Sequence, residues 1–159
     1  MLALPCVAIV GSRKVDDYGK YVTRLISEKL AQYGVIIISG MALGIDAIAH
    51  EAAMAAGQPT IAVLPCGIDT LYPRTNTNLG LRIIQNGCIV SEFAHDLLPR
   101  NYDFLRRNRL ISAMADVVVV TEAAARSGSL STARQALEQG KIVMAGPGPI
   151  TGGPATGRN

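Results

Sequence analysis

The sequence predicts an α/β protein: a doubly wound, mostly parallel sheet with helices on both faces. Three observations predict it. Apolar runs alternate with segments of helical period along the whole chain, the rhythm of βαβ units. The apolar runs are near-continuous rather than alternating, as strands covered on both faces require. Small or polar residues follow several of the runs, and ligands of open parallel sheets sit at the carboxyl ends of strands.

Each element has a local reason. Val7 to Val10 is a short apolar run ending at Gly11 and reads as the first strand. Tyr18, Val22, Leu25, Ile26, Leu30 and Tyr33 recur at helical spacing, and Gly34 closes that helix. Val35 to Ile38 is β-branched and forms the second strand. Asp46 is expected to cap a helix that runs to about Ala56 and ends at Gly57. Thr60 to Leu64 is the third strand, Asn78 to Asn86 a helix, and Cys88 to Val90 the fourth strand. A helix from Leu105 to Met114 places Arg106 and Arg109 on one face and turns Leu110, Ile111 and Met114 inward. Asp116 to Val120 is a strongly apolar strand, Ser129 to Gln139 a helix closed by Gly140, and Ile142 to Ala145 the last strand. The glycine- and proline-rich stretch 146–159 reads as loop.

Composition narrows the class. The chain has 159 residues, enough for one domain with a core. Its 49% hydrophobic content and mean hydropathy of +0.28 exclude disorder. No apolar run in the sequence approaches the roughly 20 residues that span a bilayer, and Met1 to Cys6 is too short for a secretory signal. A cytoplasmic location is therefore expected. Cys6, Cys66 and Cys88 form no paired spacing, which suits reduced thiols better than a disulfide frame or a zinc site. The net charge of +3 suits an anionic partner.

The strand ends carry the functional signal. They read Gly11-Ser12-Arg13, then Ser39-Gly40-Met41-Ala42-Leu43-Gly44-Ile45-Asp46, then Pro65-Cys66-Gly67-Ile68-Asp69, then Thr121-Glu122 with Ser127-Gly128-Ser129-Leu130. Glycines there let backbone N–H groups approach an anion. Helices opening at Ser127-Gly128-Ser129 and behind Gly40 and Gly44 offer free donors and a positive dipole end. The run Phe104-Leu-Arg-Arg-Asn-Arg-Leu-Ile-Ser112 adds guanidinium groups suited to phosphate. Neither the dinucleotide fingerprint nor the P-loop pattern occurs. His50 and His95 read as structural, Glu122 as an acid bonded to a neighbouring loop, and Tyr72 as packing over the site or the core. No metal cluster, cofactor or catalytic group is expected.

These residues resemble the DNA-processing protein A family (DprA, also called Smf). The likeness runs through Gly11-Ser12-Arg13, the Ser39 to His50 segment, Gly67-Ile68-Asp69 with Tyr72-Pro73, and Asn76 and Asn78. It continues through Ser91-Glu92, Phe104 with Arg107-Asn108-Arg109-Leu110-Ile111, Glu122-Ala123, Ser127 to Leu130 with Thr132-Ala133, and Pro147-Gly148. The resemblance implies an extended Rossmann-like domain that binds single-stranded DNA in natural transformation, protects incoming DNA and helps load the recombinase RecA, commonly as a homodimer. It assigns Arg13, Arg107, Asn108 and Arg109 to the strand, Phe104 to base stacking, and Arg106 a weaker part. With the phosphate-binding loops, the candidate site is Gly11, Ser12, Arg13, Ser39, Gly40, Gly44, Phe104, Arg106, Arg107, Asn108, Arg109, Ser127, Gly128 and Ser129.

The chain departs from the family pattern at Met41, at Leu43 where a basic residue often stands, and at Phe104-Leu105, which lack the usual preceding proline. Residues 1–159 read as a single domain. The family's final helix, C-terminal winged helix and N-terminal helical domain are missing from it. The alternative reading is a nucleotide-binding protein like the LOG phosphoribohydrolases, or a nucleotide sensor. Against it, the stretch from Ala123 to Leu130 lacks the first two glycines of that family's loop, and its downstream acid is also missing.

Overall fold

A computed structural model describes residues 3–124 and 127–148. Six strands form one sheet in the order β4-β3-β2-β1-β5-β6, and every adjacent pair is parallel. The strands are β1 (Cys6–Gly11), β2 (Ile36–Ser39), β3 (Thr60–Val63), β4 (Cys88–Val90), β5 (Val117–Glu122) and β6 (Ile142–Ala145). The helices are α1 (Asp17–Gln32), α2 (Ile45–Ala55), α3 (Thr77–Asn86), α4 (Asn101–Met114) and α5 (Gly128–Glu138).

Alternation along buried strands separates two cores. Ala8, Val10, Ile36, Ile38 and Val118 meet Ile111 of α4 and Ala136 of α5 on one face. Val7, Ile9, Ile37 and Val119 meet Ile45, Ala49 and Ala53 of α2 and Ala31 of α1 on the other. A third cluster joins Met41, Ala62 and Leu64 to Leu79 and Ile83 of α3. The sheet is thus doubly wound, as its sequence predicts. The chain reverses direction across the sheet between β1 and β5, and that switch point opens a crevice at the carboxyl edge.

Several boundaries moved for identifiable reasons. α4 begins at Asn101, ahead of the arginine run, because the Asp103 carboxylate reaches back to Arg100 at the N-cap. Asp103 Oδ2 accepts from the Arg100 N–H at 3.0 Å and from its Nε at 2.9 Å. Asp46, expected from sequence to cap α2, does not cap it. Gly44 holds that position at φ 80°, and the Asp46 carboxylate reaches back to the N–H groups of Gly40 and Ala42. β5 runs on through Thr121 and Glu122, while Asp116 stays outside it and accepts from the Cys6 N–H. Of the segment read as a loop tail, residues 146–148 form no regular element, and 149–159 lie outside the described residues.

Candidate nucleic-acid interface

A cleft of about 780 Å³ occupies the crevice at the carboxyl ends of β1 and β5. Four segments build most of it, and Ala42 and Asp46 complete the lining. The loop after β1 supplies Gly11, Ser12, Arg13 and Lys14; α4 supplies Phe104, Arg107 and Asn108; the end of β5 supplies Glu122; the start of α5 supplies Ser127, Gly128, Ser129 and Thr132. A small annex of about 70 Å³ adjoins it, bounded by Arg13, Gly40, Leu43, Tyr72 and Phe104.

The β1–α1 loop is held by α2. Gly44 sits at φ 80° with its Cα against the Ser12 and Arg13 backbone, so any side chain there would run into the Ser12 carbonyl. The Ile45 N–H donates to that same carbonyl at 3.1 Å. Met41 adopts φ 57°, a left-handed conformation that strains a non-glycine residue. Complete burial and a bond from Asn76 Nδ2 to its carbonyl at 3.0 Å hold it there. The Ser39 hydroxyl donates to the Ile9 carbonyl at 2.6 Å, so it ties β2 to β1 beneath the cleft.

The cleft's cations play unequal parts. Arg107 is only 4% exposed. Its Nη1 donates to the carbonyls of Gly40 at 2.9 Å and Val63 at 2.7 Å. Its guanidinium and the Asp46 carboxylate flank Gly40, where a methyl group would displace both. Burial lowers the Arg107 pKa to about 10, against the pull of Asp46; the group stays charged at neutral pH. Burial raises the Asp46 carboxyl, and Arg107 opposes that rise. Arg13 is exposed, 5.3 Å above the Phe104 ring centre, and Tyr72 meets the same ring edge-on at 5.5 Å. Arg13 and Lys14 make no ion pair among the described residues, so they are the cleft's available charges. The Glu122 carboxylate accepts from the Asp16 N–H at 3.4 Å, the bond to a neighbouring loop expected from sequence.

Arg106 and Arg109 stand elsewhere. They share one face of α4, as their spacing predicts, but that face lies outside the cleft. Arg106 Nε is 3.5 Å from Glu92 Oε1, and Arg109 Nη2 bonds Glu92 Oε2. Phe93 lies under the Arg106 guanidinium at 5.4 Å. Sequence reasoning missed Lys14 and Thr132 as lining residues and Glu92 as a partner. Lys14 was signalled by its place beside Arg13; the Glu92 contact arises only from tertiary folding.

The family profile described as DNA recombination-mediator protein A matches residues 1–159. The chain belongs to that family. Protein Smf of Escherichia coli is 51% identical over 145 residues, covering 91% of this chain and 39% of that protein. The recombination-mediator fold is equally plain in solved structures. DNA processing protein A from Helicobacter pylori, solved for its single-stranded DNA binding mode, superposes with a TM-score of 0.89 at 40% identity, over 98% of this chain and 71% of that one. The Streptococcus pneumoniae protein gives 0.86 at 40% identity, over 94% and 53%. The chain thus spans about two-fifths of the length of the E. coli protein Smf that it matches.

Proposed function

We propose that this domain binds single-stranded DNA in the cleft between β1, α4, β5 and α5, protects the strand and helps deliver it to the recombinase RecA. The observation that carries the reading is the pairing of exposed Arg13 with the Phe104 ring at the mouth of the cleft. A guanidinium for the backbone and a ring for a base form the minimal unit of sequence-independent strand binding. The two solved relatives named above are each called DNA processing protein A, which favours strand binding over the phosphoribohydrolase alternative. The role is one of binding rather than catalysis, in the cytoplasm, and a homodimer is the proposed working form. Among the described residues no helix is long and apolar enough to cross a membrane.

The test is fluorescence anisotropy with a labelled single strand and its duplex at several salt concentrations. The single strand is expected to bind in preference, weakening as salt rises. Arg13→Ala is expected to lower affinity and reduce the salt slope by about 0.7, the value of one lost phosphate contact on a single strand. Equal binding of duplex and strand, or an unchanged slope in Arg13→Ala, overturns the assignment.

A further inference from the structure

The outer face of α4 repeats, outside the cleft, the pair that stands at its mouth. Arg13 lies 5.3 Å over the Phe104 ring, and Arg106 lies 5.4 Å over the Phe93 ring. Beside the second pair runs an open stripe of the helix. Tyr102, Leu105, Arg106 and Arg109 fall at i, i+3, i+4 and i+7, positions that share one helical face. Tyr102 is 70% exposed and Leu105 48%, and both arginine side chains are nearly half exposed. Leu105 also lines the cleft, so it is the rim that the cleft and the outer face share.

A second observation shows what the two arginines hold. The Glu92 carboxylate spans them, with one oxygen 3.5 Å from Arg106 Nε and the other bonded to Arg109 Nη2. Two guanidiniums are thus set to grip one anion through two oxygens. A phosphodiester inside a strand carries two non-bridging oxygens and a single charge, and guanidinium donors fit phosphate as they fit carboxylate. It can take the same seat.

We infer that a strand leaves the cleft over Leu105 and makes a second contact on the outer face of α4, where Tyr102 stacks a base and Arg106 and Arg109 take one backbone phosphate in the place of Glu92. The inference rests on the strand-binding reading above and carries the strand's path beyond the cleft. A ring beside cations on a rigid helix is a platform that any base can use, because every base has a π-face. A duplex keeps its bases stacked inside and gains only the phosphate contact, so Tyr102 adds to the preference for a single strand.

Labelled oligothymidine strands of about 5 and about 20 nucleotides, one near the lower limit of the usual site size and one beyond the upper, separate the two contacts by anisotropy. The long strand reaches both contacts and the short one only the cleft. Tyr102→Ala is expected to weaken the long strand at least fivefold, about 1 kcal/mol, and to leave the short strand unchanged. Tyr102→Phe is expected to bind both strands as the parent chain does. The double variant Arg106→Ala, Arg109→Ala is expected to lower the salt slope of the long strand by about 0.7, the value of one phosphate contact. Thermal melting confirms that the variants fold. Long-strand affinity unchanged in Tyr102→Ala, or a loss of equal size on both strands, overturns the inference and leaves binding in the cleft standing. Failure of both strands to bind at low salt overturns both readings.

Discussion

Glu92 governs how much of the basic face of α4 is open to an anion. One carboxylate contacts two guanidiniums, each nearly half exposed, and so stands where a strand phosphate would stand. Exposed pairs of this kind contribute only about 0–1 kcal/mol, so a phosphate can displace the carboxylate at little cost. Glu92→Gln is therefore expected to tighten single-strand binding by up to about fivefold, roughly 1 kcal/mol, and to steepen its salt dependence. Unchanged affinity would place Arg106 and Arg109 off the strand's path. Such a residue was not legible as a regulator of charge. Helical spacing fixed which arginines share a face, but no periodicity encodes the loop that carries their partner.

Among the elements, α4 does two jobs with opposite faces. Its outer face carries Arg106 and Arg109; its inner face sends Arg107 between the ends of β2 and β3. The family resemblance assigned Arg107 to the strand together with Arg109, because charge pattern alone does not separate a solvated guanidinium from one enclosed by carbonyls. The nearest signal was the helical period itself, which sets Arg107 about 100° from its neighbours. Arg107→Ala leaves the carbonyls of Gly40 and Val63 unpaired in the interior. Each orphaned group costs about 1–3 kcal/mol, so urea denaturation is expected to show a loss of about 3 kcal/mol. Any fall in DNA affinity of this variant must then be judged against its folded fraction. Elements with strong apolar patterning were legible throughout: β4 and β6 fall where the sequence places them. The first turn of α4 was not, because an arginine is an uncommon N-cap and its function depends on Asp103 three residues on.

At the scale of the molecule, one buried histidine ties stability to pH. His50 is wholly enclosed between α2 and β3, and burial pushes its pKa down to about 3. The Thr60 hydroxyl donates to the Ile37 carbonyl, so it can only accept from His50; the ring proton sits on Nδ1, at 2.7 Å, and Nε2 has no partner among the described residues. Below its ordinary pKa of 6.5 the histidine gains a proton in the unfolded chain but not in the folded one. Stability is therefore full above that value and falls as pH drops toward about 3, by up to about 1.4 kcal/mol per pH unit from this group. Asp46 works in the opposite sense: burial raises its carboxyl, so it adds stability as pH falls through its folded pKa. His50→Gln is expected to flatten the acid limb of a plot of urea midpoint against pH. A limb of unchanged steepness would assign it to other groups. The structural role of His50 was legible from its helical setting; its orphaned nitrogen was not, since that depends on a hydroxyl ten residues away whose proton points elsewhere.

The Asp46 carboxylate binds the amide hydrogens of Gly40 and Ala42 from inside the protein, with Arg107 closing the other side. The Gly40 bond is buried, and that amide reaches solvent only when the packing of α2, α4 and the sheet comes apart together, whereas the Ala42 bond is part-buried. In deuterium exchange the Gly40 amide is expected to be among the slowest sites, opening only with global unfolding. The amides at the start of α5 lack such cover and are expected to exchange fast until a strand arrives. One wall of the cleft is then fixed in advance and the other is completed by the ligand, so occupancy is to be read from the amides of Gly128 and Ser129, while Gly40 stays silent.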